Sequence, residues 1–323
     1  MTPVVTIVIP CRNEELFIAK VLADIIGQDY PIEKIEVIIV DGHSDDKTTS
    51  VAAGFRDKLP QLTILDNDLK TVPHALNLAI YKATGDIIIR MDAHSEYNYD
   101  YVSKVIETFS ETDADIVGGP KRAAGKTLIQ KSIAYCTSTK MGVGDSAFHN
   151  ETVKGWVDSV YLGAWKKEIF DDVGMFDTAM KRNQDDEFHY RARSKGKKIY
   201  LNPAIKSLYH PRDSFSKLFS QYFQYGLYKP LVLKKVNSGM KIRHLVPSLF
   251  VIYLLILPLL ISIIGHFSLA FLGLYLAGLI YFSFVNQLSI AGKFISPIVY
   301  VIIHISYGLG FILGLSKSPG KHK

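Results

Sequence analysis

Between Leu245 and Leu315 the chain carries no Asp or Glu and one basic residue, Lys293. A water-soluble globule has no way to cover so long an uncharged stretch, whereas the hydrocarbon core of a bilayer requires one. Residues 245–264 are 20 uncharged positions, mostly Leu, Ile and Val. At about 1.5 Å per helical residue they match a bilayer core of about 30 Å. Residues 267–285 and 295–315 are further candidates, so two to three spans are expected, the first two joined through the short Gly265-His266 connector. Lys241 and Arg243 place the start of the first span in the cytosol. Lys317, Lys321 and Lys323 follow the last candidate.

Charge separates the rest of the chain from this block. From Asp213 onward there is one acid against ten Lys and Arg, which leaves 30 acids and 27 bases for residues 1–212. A basic tail seeks nucleic acid or anionic lipid. Nucleic-acid surfaces interleave basic and aromatic residues. This tail is apolar instead, so membrane lipid is the expected partner and nucleic acid is not. Around Phe215, Leu218, Phe219, Tyr222 and Phe223 the apolar spacing is helical. With Lys217, Lys229, Lys234 and Lys235 nearby, residues 213–243 are expected to lie in the membrane interface; a core helix is the alternative. Cys11 and Cys136 provide neither a disulfide framework nor metal-knuckle spacing and suit a reducing cytosol. The first residues lack the basic region of a signal peptide.

Residues 1–212 alternate strand and helix signals. Residues 4–10, 35–40, 62–65, 87–91 and 116–118 are short, β-rich apolar runs. Helical spacing spans 14–26, 73–82 and 184–194, the last ending at Gly196. Residues 120–155 are expected to be a loop-rich connector. Continuous apolar strands separated by helices describe an α/β domain with a buried, mostly parallel sheet. Such sheets hold ligands at the carboxyl ends of their strands. Polar, acid-rich clusters follow three of the runs: Arg12-Asn13-Glu14-Glu15, Asp41-Gly42-His43-Ser44-Asp45-Asp46 and Asp92-Ala93-His94.

Asp92 and His94, two residues apart at a strand end, are suited to a divalent cation that also binds a diphosphate; the imidazole moves the preference from Mg²⁺ towards Mn²⁺. Asp41 can accept from a nucleobase or a ribose hydroxyl, while Ser44 and Asp45 also suit helix capping. Glu14 and Arg12 suit either a ligand pocket or a surface ion pair. Asp185, Asp186 and Glu187 favour a helix N-terminus. Packed together they should raise one another's pKa, as a general base requires.

These residues stand in motifs. The segments VTIVIPCRNEE (5–15), VIIVDGHSDDKT (37–48), ALNLAIYKATGDIIIRMDAH (75–94), VGMFDTAMKRNQDDEFHYRARSKG (173–196) and QYFQYG (221–226) together resemble family 2 glycosyltransferases of the GT-A fold. Within them they resemble bacterial exopolysaccharide enzymes of the succinoglycan type. The resemblance implies a Rossmann-like GT-A domain over residues 1–212, the interfacial segment 213–243 and a transmembrane anchor over 244–323. It implies donor-site roles for Pro10, Arg12, Glu14, Asp41 and Asp92, and a metal held by Asp92 and His94 in place of a D-x-D motif. Asp185 falls on the aspartate of an E-D motif, the catalytic base, with Gln184 for the Glu and Asp186 as an adjacent competitor. Gln221 to Tyr225 look like a degenerate Q-x-x-R-W motif on the acceptor side, whose erosion argues for transfer of single sugars. The implied protein is a multi-pass plasma-membrane enzyme with a cytoplasmic catalytic domain. It would transfer a sugar from a nucleotide donor, foremost a UDP-sugar, to a lipid-linked saccharide, with inversion and with Mg²⁺ or Mn²⁺. A polyprenyl-phosphate glycosyl synthase and a non-catalytic nucleotide-sugar-binding membrane protein are the alternatives.

Overall fold

The structure is a computed structural model that describes residues 2–236, 240–285 and 288–317; Lys321 and Lys323 lie outside them. Two compact units share the chain: residues 1–122 with 150–209, and residues 123–149 with 210–323.

The first unit is built on an eight-stranded sheet. Its strands are β1 (Val5–Cys11), β2 (Ile35–Asp41), β3 (Leu62–Asp66), β4 (Ile87–Arg90), β6 (Ile116–Gly119), β8 (Gly155–Trp156), β9 (Tyr161–Lys166) and β10 (Ile199–Leu201), in the order β3-β2-β1-β4-β9-β6-β10-β8. β5 (Ser95–Tyr97) pairs with β11 (Ser207–Tyr209) in a small second sheet, which also takes in the two-residue β7 (Arg122–Ala123). β1, β2, β3 and β4 run parallel, as do β6 and β10. Their sequences are continuous apolar runs because both faces are covered: Ile7, Ile9, Val37 and Ile39 on one face and Val8 and Val40 on the other are fully buried. The expected mostly parallel α/β sheet is therefore present. Two strands depart from the pattern. β8 lies antiparallel to β10 at the edge, and β9 lies antiparallel between β4 and β6.

Helices α1 (Ile18–Ile26), α2 (Thr48–Ala53), α3 (Val72–Lys82), α4 (Tyr101–Glu111), α7 (Ile169–Val173) and α8 (Gln184–Ser194) complete this unit. α1 begins four residues later than the spacing 14–26 suggests. The backbone N–H groups of Asn13, Glu14 and Glu15 donate to Ser44, Thr48 and Asp46, so the first turn is replaced by a loop bonded to its neighbour. α8 matches its expected bounds. Gly196, at φ +79°, lets the Lys197 N–H return to the Ala192 carbonyl at 3.1 Å.

In the second unit, residues 123–149 are not the connector their composition suggested. They form α5 (Leu128–Cys136) and α6 (Lys140–Val143). Thr127 and Gln130 make a reciprocal capping box. Ile133 and Cys136 are buried with Leu218, Tyr222, Val299 and Tyr300. Leu218 and Tyr222 belong to α9 (Phe215–Val236). That stripe packs into protein, while Phe219 stays 39% exposed. α9 lies close against α12 (Ile290–Leu315): a Cβ on Gly310 would fall 2.2 Å from the Phe223 carbonyl oxygen.

α10 (Ile242–Ile264) and α11 (Ala270–Phe284) are joined by a 3₁₀ turn at Gly265–Leu269. Among the described residues, two helical stretches are long and apolar enough to cross a membrane: Ile242–Phe284, of mean hydropathy 2.6, and Ile290–Leu315, of mean hydropathy 2.1. Leu255, Leu259, Phe267 and Leu274 on the first are more than half exposed, as lipid-facing side chains are. α10 and α12 have 23 and 26 residues, about 34 and 39 Å. α11 has 15, about 22 Å, short of a bilayer core of about 30 Å. The second candidate span, 267–285, is shorter than expected because its first residues belong to the 3₁₀ turn that starts at Gly265, φ +65°.

Candidate active site

β1 and β2 are in register to their last residues, so Cys11 lies opposite Asp41, and both following loops start from one edge of the sheet. Asp41 is 2% exposed. Its carboxylate accepts from the Ser44 N–H at 2.8 Å, from the Ser44 hydroxyl and, at 3.8 Å, from the Cys11 thiol. Ser44 in turn accepts from the Asn13 N–H at 2.8 Å, and Asn13 Oδ1 accepts from the Asp45 N–H at 3.1 Å. The two loops are thus tied to each other before any ligand arrives. A carboxylate has about four lone-pair sites, so Asp41 keeps capacity for one more donor. Burial, then Asp41 and Glu14, push the Cys11 thiol pKa well up, which keeps it a neutral donor.

β4 ends on the same edge. Its last residue, Arg90, is buried although three isoleucines precede it. Its Nε donates to Asp92 Oδ1 at 2.9 Å. Its Nη1 donates to both oxygens of Asp185, at 2.9 and 2.8 Å. Asp185 is in the first turn of α8, after Asn183 in the left-handed region at φ 57°. The Asp92 N–H donates to the Tyr97 hydroxyl at 2.6 Å. Burial alone would raise the Asp92 carboxyl, but Arg90, His94 and Lys121 together outweigh it and hold its pKa below the usual value. The same carboxylate, after burial, pushes the Tyr97 and Tyr161 phenols up. Lys121 Nζ sits 4.0 Å from the centre of the Tyr209 ring. His94 Nδ1 faces Glu14 Oε1 at 3.3 Å.

Glu14 and His94 therefore meet, Asp92 and Asp185 share one guanidinium, and Asp41 anchors the adjoining loops. Arg12 is exposed and Pro10 half-buried at the end of β1. Asp186 follows Asp185 on α8. Gln221 and Tyr225 belong to the second unit, where Gln221 Nε2 donates to the Tyr225 hydroxyl at 3.0 Å. The clustering of acids expected to act on Asp185 is replaced by another pairing: Glu187 turns to Arg191 at 2.9 Å, and the charge in contact with Asp185 is Arg90. Arg90 escaped the sequence reading because it closes an apolar run. A basic residue directly before M-D-A-H was the only signal. Lys121 and Tyr97 gave none.

Among the described residues no three His, Cys, Asp or Glu side chains gather as a ready-made metal cage. Mg²⁺ at phosphate sites is commonly held by one or two carboxylates with phosphate oxygens and waters. Asp92 and His94 carry the ligand types that could hold a cation of that kind.

Residues 6–174 match the family model for Glycosyl transferase family 2. The chain belongs to this family. It is 27% identical over 313 residues to the succinoglycan biosynthesis protein ExoA of Rhizobium meliloti (strain 1021), spanning 94% of this chain and 93% of that one. It is 31% identical over 245 residues to a dolichyl N-acetyl-alpha-D-glucosaminyl phosphate 3-beta-D-2,3-diacetamido-2,3-dideoxy-beta-D-glucuronosyltransferase of Methanococcus voltae, spanning 72% of this chain and 74% of the relative. Among solved structures, the mannosyltransferase PcManGT of Pyrobaculum calidifontis, in complex with GDP-Man and Mn²⁺, superposes with a TM-score of 0.60. That match covers 95% of this chain and 87% of the other at 18% identity. The fold is the GT-A fold expected from the motifs, followed by apolar helices that could span a membrane.

Proposed function

We propose that this glycosyltransferase moves a sugar from a nucleoside-diphosphate donor, foremost a UDP-sugar, to a lipid-linked saccharide at a membrane surface, inverting the anomeric carbon. The observation that carries the reading is the pairing of Asp92 and Asp185 across Arg90 at the carboxyl edge of the sheet. It sets a donor-side carboxylate beside a carboxylate suited to be the base. The relatives support the acceptor class: one takes part in succinoglycan biosynthesis, and the other's name describes a dolichyl-phosphate-linked acceptor. The exposed apolar helices would bring the site to such an acceptor.

The loops after β1 and β2 hold the nucleotide, Asp41 receiving a hydrogen bond from base or ribose, with Pro10, Arg12 and Glu14 lining the pocket. Asp92 and His94 would hold a divalent cation, Mg²⁺ or Mn²⁺, which supplies charge neutralisation for the departing diphosphate. Asp185 takes the proton of the acceptor hydroxyl. The oxygen lone pair forms the new bond to the anomeric carbon, and the sugar–phosphate bond breaks on the opposite face, its electrons leaving with the nucleoside diphosphate. Within residues 1–212, segments 1–122 and 150–209 make up the catalytic domain; 213–243 is the segment at the interface and 244–323 the anchor of a multi-pass plasma-membrane protein. Lys241 and Arg243 keep the catalytic domain cytoplasmic.

The full chain in nanodiscs tests this. Ligands of the folded state raise its melting point, by about 2.7 kcal/mol of stabilisation at one hundred times Kd. A nucleotide sugar should do so with Mg²⁺ or Mn²⁺ and lose the effect with chelator. The same preparation should then label a lipid-linked saccharide and leave bare polyprenyl phosphate unlabelled. Absence of any shift across the nucleotide sugars with either cation would refute the reading.

A further inference from the structure

Arg90 ends a strand that is paired on both edges, with β1 on one side and β9 on the other. Its side chain is 9% exposed, against 15% for Asp92 and 35% for Asp185. Burying a guanidinium and a carboxylate at the end of an isoleucine strand is a costly way to gain stability, since apolar replacements of such groups often do as well or better. The arrangement makes more sense for what it holds. One planar guanidinium fixes two carboxylates that belong to different elements, Asp92 after β4 and Asp185 on α8. We propose that Arg90 is the positioning residue of the reaction: it sets the base Asp185 at a fixed distance and orientation from the donor-side carboxylate Asp92.

The chemistry of the fork supports this. Nε points at Asp92 and Nη1 at Asp185, so the spacing between the carboxylates is set by the rigid width of the guanidinium. A lysine, with one rotatable point charge, has no equivalent geometry. Nη1 occupies one lone-pair site on each Asp185 oxygen, about two of the four a carboxylate offers, leaving the others to receive the acceptor proton. Without the intervening cation, Asp92 and Asp185 would face each other as like charges, and the base would swing away from the donor. Misplacement of a reacting group by about 1 Å can cost about 10²-fold in rate.

The inference rests on the assignment of Asp185 as base, and the test separates the two. Arg90→Lys, Arg90→Gly, Asp185→Asn and the double variant Arg90→Lys/Asp185→Asn are made in the full chain. Donor affinity is read by thermal shift, and kcat and donor KM by transfer assay. Arg90→Lys should lower kcat about 10²-fold while donor affinity stays within about threefold. In the Asp185→Asn background the same change should cost little more, because Arg90 acts through Asp185. Millimolar guanidinium should restore part of the turnover of Arg90→Gly. If Asp185→Asn turns over like the wild type, the base assignment falls and the positioning role falls with it. If Asp185→Asn abolishes turnover but Arg90→Lys is unaffected, or the two losses simply add, only the role of Arg90 is overturned. A variant that loses donor affinity and turnover in parallel, without rescue by guanidinium, also overturns it in favour of a merely structural ion pair.

Discussion

Replacing Asp185 by Asn changes one oxygen for an amide group of nearly the same size. The new side chain can still accept from Arg90 Nη1 with its remaining oxygen, in place of the two contacts at 2.9 and 2.8 Å. The amide then turns a donor towards the guanidinium, and Arg90 keeps Asp92 as its one anionic partner in the trio. Breaking a fully buried ion pair costs about 3–5 kcal/mol. Asp185 is 35% exposed and Arg90 9%, so this pair lies between that limit and a surface pair of about 0–1 kcal/mol. A loss of about 1–2 kcal/mol follows, a few degrees in melting temperature for a unit of this size. Turnover should suffer far more. General-base catalysis contributes about 10²–10⁴-fold, equivalent to about 3–5 kcal/mol of barrier. Asp92, His94 and the loops after β1 and β2 are untouched, so donor affinity should hold. The assay is kcat for transfer beside donor affinity from thermal shifts, both in nanodiscs. A kcat within tenfold of wild type, or donor affinity and kcat falling together, refutes the assignment.

Three other changes probe separate parts of the structure. Ser44→Ala removes the hydroxyl that bridges Asp41 and the Asn13 N–H; about 1–2 kcal/mol of stability should go with it, and donor affinity should fall, whereas unchanged denaturation and donor binding would mean that the tied loops are not part of the pocket. The Asp92 pKa is held below its unfolded value of about 3.9, so its stabilisation is fully present above that value and is lost as pH falls through the folded pKa. The stability gap between wild type and Asp92→Asn should accordingly be flat above about pH 5 and close in more acidic solution, and a gap that stays constant down to pH 3 contradicts the pairing with Arg90. Gly310→Ala would place a Cβ 2.2 Å from the Phe223 carbonyl oxygen, whereas Gly273→Ala meets nothing within 4 Å. The first should cost at least about 1–3 kcal/mol in thermal unfolding and the second almost nothing; equal effects would show that α9 and α12 do not pack as described.

What the sequence disclosed and what it concealed follow from how far each signal reaches along the chain. β1, β2 and β4 are legible because a strand buried on both faces must be continuously apolar, and the acids that follow them mark the ligand edge. α8 is legible to the residue because Gly196 closes it locally. β9 is not: it earns its place by pairing with β4 and β6, and nothing in YLGAWK announces partners that lie more than 40 residues away. Residues 120–155 read as a connector because they are rich in Gly, Ser, Thr and Lys and their apolar positions show little periodicity. Two of those positions, Ile133 and Cys136, are matched by residues of α9 and α12 far downstream; the Thr127–Gln130 box was the one local sign. Asp92 and Asp185 could be named from motifs. Arg90 could not, because its importance comes from touching both at once.

The order in which the two units use the chain has a practical consequence. Residues 123–149 leave the sheet unit, join the C-terminal helices, and the chain then returns to supply β8 to β11. Ending the polypeptide at residue 212 would strand α5 and α6 with Ile133 and Cys136 bare to water, and the product should aggregate. A soluble version calls for excision of two separate stretches, with the chain rejoined between β7 and residue 150. During synthesis, likewise, α5 and α6 wait for partners, α9 and α12, that are made later.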